Sequence, residues 1–157
     1  MNRKKIGIAA AIAVVLGLGF LLYTQTVPGE YVPADDEIAL AIQLDTKEDI
    51  GLLVFDYSAN GHEFSGGMAN ADKSMLKHDE KLIEVWNKEQ LGVSADTVEL
   101  SIQFRIITEY IDPNYENIYP EDLTKYLEKL SFEARFGEIC YFTITGDNAS
   151  GYEVIQD

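Results

Sequence analysis

The densest group of residues suited to recognition chemistry is a tyrosine-rich segment in the second half of the chain. Four of the nine tyrosines fall between positions 110 and 126, interleaved with asparagine and proline. Tyrosine rings offer rigid stacking surfaces and asparagine amides adapt their hydrogen bonds, so this combination is typical of binding surfaces. The same pattern suits rings that cap one end of a domain with their hydroxyl groups at the rim. The predicted binding residues are Tyr110, Asn114, Tyr115, Asn117, Tyr119 and Tyr126.

A second group of side chains has the oxygen ligands that calcium prefers. Asp112, Asn114 and Glu116 have the spacing of the first three EF-hand ligands. The EF-hand itself is excluded, because position six is Asn117 instead of glycine and position twelve is Leu123 instead of glutamate. Calcium is the one cofactor that we consider. Either a loop site of another type binds it, or these residues are solvated turn residues that bind no ion. The candidate ligands are Asp112, Asn114, Asp147 and Asn148.

The sequence contains no recognisable catalytic motif. The two histidines lie in no known pattern, and Ser65 lacks the glycine two residues earlier that a nucleophile elbow requires. Cys140 lies in a β-branched and aromatic stretch, which predicts a buried, unreactive thiol. We therefore expect a non-catalytic protein and name no catalytic residue. An enzyme that uses carboxylates such as Asp79 and Glu80 is kept as an alternative.

Charge and composition exclude several classes of protein. The 157 residues carry a net charge of −15, and an acidic surface repels the phosphate backbone of nucleic acids. A hydrophobic content of 46% is too high for a disordered acidic tail. A single cysteine excludes a disulfide within the chain.

An 18-residue segment without charge or proline runs from Ile6 to Tyr23. As a helix it would be about 27 Å long, close to the roughly 30 Å hydrocarbon thickness of a bilayer. Three basic residues precede it and stay in the cytoplasm by the positive-inside rule, so the following body, with a net charge of −18, is exported. We expect a retained signal-anchor, since the hydrophobic region of a cleaved signal peptide spans only about 7–15 residues. Cleavage and release of a secreted protein is the alternative.

The exported body shows the period-two alternation of half-buried strands. In its longest run, Val98, Leu100, Ile102, Phe104 and Ile106 share one face, opposite the polar Glu99, Ser101, Gln103 and Arg105. A helix or a strand fits residues 71–90, and the alternation at 82–87 favours the strand. Further strands are predicted at 37–45, 50–58, 62–65, 130–136, 139–145 and 152–156, with an Asn-Gly hairpin turn at 60–61 and a short helix after Pro120.

These observations predict a mainly β protein with seven to eight strands and one or two short helical turns. The strand pattern favours an antiparallel β-sandwich, Ig-like or related in topology, over a barrel. We expect a single-pass membrane protein with a non-catalytic binding domain for a protein or cell-envelope partner; a calcium-dependent adhesion or structural domain is the alternative. The predicted boundaries are a cytoplasmic stub at 1–5, a transmembrane helix at 6–23, a linker at 24–36 and the exported domain at 37–157.

Overall fold

Eight β-strands form in the part of the chain that the computed structural model describes, residues 31–109 and 120–157. The prediction of a mainly β body is confirmed there. The strands are β1 (Glu37–Thr46), β2 (Leu52–Ala59), β3 (His62–Met68), β4 (Lys81–Asn87), β5 (Thr97–Ile107), β6 (Thr124–Arg135), β7 (Ile139–Asp147) and β8 (Gly151–Gln156). A four-residue helix α1 (Lys88–Leu91) and a 3-10 turn (Glu121–Leu123) complete these elements.

The strands form two four-stranded sheets. Sheet I has the order β4-β1-β7-β8, and sheet II has the order β3-β2-β5-β6. All neighbouring strands pair antiparallel except β1 and β7, which are parallel. The expectation of antiparallel pairing throughout is therefore wrong for this pair. Alternation of apolar residues determines which face of a strand is buried, but it carries no information on the direction of a strand that arrives from the other sheet.

A single hydrophobic core joins the two sheets, and aromatic rings lie at its centre. The Phe104 ring of sheet II meets the Phe142 ring of sheet I edge-on, with a centroid distance of 5.5 Å. Phe55 packs on Phe104 within sheet II and on Trp86 of sheet I. The predicted apolar face of β5 and the alternating apolar residues of the predicted strand β1 both point into this core, since each of the nine residues is at most 2% exposed: Ile38, Leu40, Ile42, Leu44, Val98, Leu100, Ile102, Phe104 and Ile106.

A stack of three aromatic rings closes the side of the core between the edge strands β3 and β4. Tyr57 lies between Trp86 and Phe64, with centroid distances of 4.0 Å and 5.1 Å and nearly parallel planes. The indole N–H of Trp86 donates to Glu84, whose pKa is raised by burial. Gly66 on β3 leaves room for the Phe55 ring, because a Cβ atom there would lie 2.5 Å from that ring.

Local sequence signals account for the connections next to these strands. Asn60 and Gly61 have φ angles of 48° and 84°, which is the signature of the predicted type I′ hairpin turn between β2 and β3. The ambiguous segment 71–90 contains strand β4 and the first three residues of α1, so the strand interpretation of 82–87 is confirmed. Helix α1 begins with a capping box, in which Asn87 and Gln90 each accept from the other's main-chain N–H.

No helix among residues 31–109 and 120–157 is long and apolar enough to cross a membrane. The predicted transmembrane segment 6–23 lies outside the described residues.

Replacement of Phe104 by alanine should lower the free energy of unfolding by about 3–5 kcal/mol, because it removes a fully buried ring that contacts both sheets. Urea denaturation followed by tryptophan fluorescence measures the change. Ile155→Ala is the matched control: Ile155 is 53% exposed, so its truncation should cost less than about 1 kcal/mol. Equal losses in the two variants would contradict the described core.

Candidate functional site

The outer face of sheet II carries a groove lined mainly by polar side chains. Tyr57 and Phe64, whose rings pack against the core, also border it. Because side chains alternate along each strand, the same pattern that buries one face of β2 and β5 points serine, glutamine and charged residues outward. All four strands of the sheet contribute to this surface. We call it the polar groove, and its lining residues are Asp56, Tyr57, Ser58, Glu63, Phe64, Ser65, Ser101, Gln103 and Lys129.

An ion pair organises the groove at Asp56. The Nη2 atom of Arg105 donates to Oδ1 of Asp56 at 2.9 Å, and the Ser65 hydroxyl group donates to the same oxygen at 2.9 Å. The Arg105 side chain is only 16% exposed, whereas that of Asp56 is 46% exposed. A partly buried arginine therefore holds a solvent-accessible carboxylate in a fixed position across β3, β2 and β5.

Tyr126 stands next to the polar groove on the outer face of β6. It is directly opposite Arg105 in the β5–β6 pairing, and the guanidinium carbon lies 5.8 Å from the centre of its ring. This is the range of a cation–π interaction. Tyr126 is 64% exposed, so the interaction with Arg105 leaves most of the ring open to solvent. Of the six predicted binding residues, Tyr126 alone lies in the described part; the other five fall between 110 and 119.

Hydrogen bonds hold the floor of the groove between β5 and β6. The Ser131 hydroxyl group donates to that of Ser101 at 3.1 Å. Nε2 of Gln103 donates to the main-chain oxygen of Leu127 at 3.0 Å, beside the irregular pairing between Gln103 and Arg105. This irregularity is a β-bulge, a feature that re-aims side chains on the affected strand. The floor of the groove is therefore held by side-chain hydrogen bonds across β5 and β6, next to a β-bulge in their pairing.

The charges of the groove are balanced. The negative charges of Asp56 and Glu63 are offset by two positive charges. Lys129 lies in the lining, and Arg105 lies next to the groove in contact with Tyr126. The chain as a whole carries a net charge of −15, so this balance distinguishes the groove from the average surface of the protein.

At one end of the two sheets, a second depression is lined by residues that include Glu48, Asp49, Glu109 and Asp147. The Asp147 carboxylate accepts from Lys47, and it also accepts from the hydroxyl group and main-chain N–H of Ser150. These donors hold the pKa of Asp147 well below its usual range, with the bond from Lys47 as the largest cause. Asp147 therefore fixes the turn between β7 and β8.

The carboxylate of Glu48 accepts from the main-chain N–H of Asn148 and from the Tyr152 hydroxyl group, the latter at 2.7 Å. Of the predicted calcium ligands, Asp147 and Asn148 are thus adjacent residues in one turn, while Asp112 and Asn114 lie outside the described residues. Within 31–109 and 120–157, no three His, Cys, Asp or Glu side chains are grouped closely enough to hold a metal ion. The calcium site stays a prediction.

Hydrogen bonds to Asp49 connect the loop after β1 to the segment before β4. Its two carboxylate oxygens accept from Nζ of Lys77 at 2.8 Å and from the main-chain N–H of His78 at 3.0 Å, and Nδ1 of His78 lies 2.9 Å from Oδ1. The pair with Asp49 raises the pKa of His78. The carboxylate of Glu80 accepts from the main-chain N–H of Lys77 at 3.0 Å, so Glu80 stabilises a turn. The side-chain hydrogen bonds of His78 and Glu80 are thus made to different residues.

Cys140 lies on β7, half-buried against the core. Burial, with a smaller contribution from Glu138, raises the pKa of its thiol to about 11. A thiol with this pKa is almost entirely protonated at neutral pH, which makes it a poor nucleophile.

The polar groove was not predicted as a site from the sequence, although part of its signal was present. Alternation in the sequence shows that β5 has a polar face, but alternation alone does not distinguish a solvated face from a binding face. What identifies the groove is the cross-strand position of Asp56, Ser65 and Tyr126 around that face, which depends on strand order and register.

No protein-family model matches this chain, and no curated protein matches its sequence. Two solved structures have a weak likeness to it: pneumolysin and the membrane-binding domain of pneumolysin, each with a TM-score of 0.39 and 10% identity over 77% of this chain. The match spans 23% of the length of pneumolysin and 96% of the isolated domain. A TM-score this low carries no argument about fold family or function.

Replacement of Asp49 by asparagine should lower the pKa of His78 toward its ordinary value of 6.5, because it removes the negative charge that favours the imidazolium ion. The titration of the His78 ring protons by NMR measures this shift. The stabilising contribution of the ion pair is fully present below the unfolded-state pKa of about 6.5 and is lost as the pH rises through the raised folded-state value. Asp45→Asn, at an exposed position on β1, serves as the control with an unchanged His78 pKa. If the pKa of His78 were also unchanged in Asp49→Asn, the interaction between His78 and Asp49 would be contradicted.

Proposed function

We propose that this chain is a membrane-anchored, extracytoplasmic, non-catalytic binding domain whose ligand contacts the polar groove and Tyr126. The observation that carries this proposal is the exposed Tyr126 ring beside a groove whose central carboxylate, Asp56, is held by Arg105 and Ser65. A few fixed polar groups next to an exposed aromatic ring combine orientation with contact area, as binding sites require.

The proposed location of the domain outside the cytoplasm rests on the sequence. The uncharged segment 6–23 follows three basic residues, and this order supports a cytoplasmic N-terminus and an exported body. The segment 24–36, which contains Pro28 and Pro33, is assigned as the spacer to a domain at 37–157. We assign the two-sheet body to the Ig-like or related β-sandwiches. Its strands pair antiparallel except for β1 and β7, which are parallel. The partner is a protein or a component of the cell envelope, and nucleic acid is not among the proposed ligands.

A non-catalytic role is supported by the way the polar side chains of the groove are used. Oδ1 of Asp56 accepts from Arg105 and Ser65, which fixes the position of this carboxylate, and the amide nitrogen of Gln103 donates to the main-chain oxygen of Leu127. Such groups orient a ligand and hold it, whereas a general base needs access to a proton in the reacting molecule.

The proposed anchor predicts that the full-length chain, carrying a C-terminal epitope, stays in the membrane fraction after alkaline carbonate extraction. Protease added outside intact cells should remove the epitope, because the body lies beyond the membrane. Immunoblotting of membrane and medium fractions measures both results. A shortened protein in the medium would show cleavage of the N-terminal segment, and an epitope protected from external protease would reverse the proposed topology.

The proposed binding surface predicts that Tyr126→Ala weakens capture of cell-envelope material by at least about fivefold, since exposed aromatic anchors contribute about 1 kcal/mol or more to binding. The assay immobilises the full-length chain in detergent and quantifies material crosslinked to it. Tyr141→Ala is the matched control, because Tyr141 lies on the outer face of sheet I and is 38% exposed. Equal capture by Tyr126→Ala and the unaltered chain, or equal losses in both variants, would contradict the assignment.

A further inference from the structure

We infer that the ligand of the polar groove is an uncharged polysaccharide chain, an inference that rests on the binding function proposed above. Its basis is the combination of three properties of this surface: hydroxyl and amide groups on the floor, balanced charge, and an exposed tyrosine ring at the side.

The floor of the groove presents groups that both donate and accept hydrogen bonds. Ser58, Ser65 and Ser101 contribute hydroxyl groups, and Gln103 contributes an amide. The Ser65 hydroxyl group already donates to Asp56, and that of Ser101 already accepts from Ser131. A sugar hydroxyl group is both a donor and an acceptor, so it can donate to Ser65 and accept from Ser101. The fixed carboxylate of Asp56 adds a strong acceptor for a sugar hydroxyl group.

The charge of the groove selects against ionic ligands. The lining contains two acidic side chains, Asp56 and Glu63, and the basic side chain of Lys129, and Arg105 beside the groove neutralises Asp56, so neither a polyanion nor a polycation meets a large excess of opposite charge. The acidic remainder of the chain further repels polyanions. A neutral ligand is not repelled by the charge of the chain.

Tyr126 supplies the apolar contact that a sugar ring requires. The C–H groups on one face of a pyranose ring carry small positive partial charges, and they are attracted to the negative face of an aromatic ring. The Arg105 guanidinium lies 5.8 Å from the centre of the Tyr126 ring, while 64% of the residue is exposed. This contact favours one orientation of the ring before the ligand arrives, which reduces the entropy lost on binding.

The groove extends over β3, β2, β5 and β6, and the lining residues come from all four strands. Four adjacent strands span about 14 Å at a spacing of roughly 4.8 Å. A surface of this width accommodates several linked sugar rings and therefore suits an extended chain better than a single monosaccharide.

The test measures binding of the full-length chain in detergent micelles to soluble polysaccharides by affinity electrophoresis. The neutral probes are mixed-linkage β-glucan, xylan, mannan and dextran; polygalacturonate and oligolysine are the charged comparators. We expect retardation by at least one neutral polysaccharide, a loss of at least about fivefold in affinity with Tyr126→Ala, and no loss with Tyr141→Ala. Ser101→Ala, which removes a floor hydroxyl group with little change in volume, should also weaken binding, and thermal melting verifies that each variant is folded.

Failure of this inference can be told apart from failure of the proposed function. If no neutral polysaccharide binds, or if a charged comparator binds more tightly, the saccharide inference is overturned. If cell-envelope capture still depends on Tyr126 in that case, and the captured material is protein, the binding function stands with a peptide ligand. If capture is also independent of Tyr126, both proposals fall.

Discussion

The structure depends on the contact between aromatic rings of its two sheets. Phe104 and Phe142 meet edge-on across the core, and Phe55 links this pair to Trp86 at the side between β3 and β4. A four-stranded sheet cannot bury its apolar face alone, so each sheet requires the other as its cover. Once the inner faces are paired in this way, the period of two along each strand also determines which residues face outward.

The two outer faces differ in chemistry, and the difference begins on the central strands. In sheet I, Ala41 lies between Ile83 and Tyr141 in register and is only 2% exposed, so larger apolar neighbours cover the strand. In sheet II, the outward residues of β2 and β5 are mainly serine, glutamine and charged side chains. Arg105 and Asp56 give that face a fixed geometry. The polar groove therefore belongs to sheet II because of its outward residues, although both sheets contribute to the core.

Some of the acidic side chains of this protein stabilise loops at one end of the two sheets. Glu48, Asp49 and Asp147 each accept hydrogen bonds from neighbouring loops or turns, and lysine or histidine partners neutralise two of them. Carboxylates that hold loops together in this way differ from carboxylates gathered around an ion. The net charge of the chain by itself does not separate these two uses.

The sequence by itself determined the local elements of this protein. Alternation identified the strand β1 and the inner face of β5, and the Asn60-Gly61 pair identified the tight turn, because both signals act over a few residues. Only the tertiary structure decided the parallel pairing of β1 with β7 and the meeting of Asp56, Arg105 and Tyr126. These depend on strand order and register, which arise from contacts between residues far apart in the chain. For the same reason the sequence places Tyr126 in a tyrosine-rich segment, whereas in the described structure it lies on β6 beside Arg105 of the neighbouring strand β5.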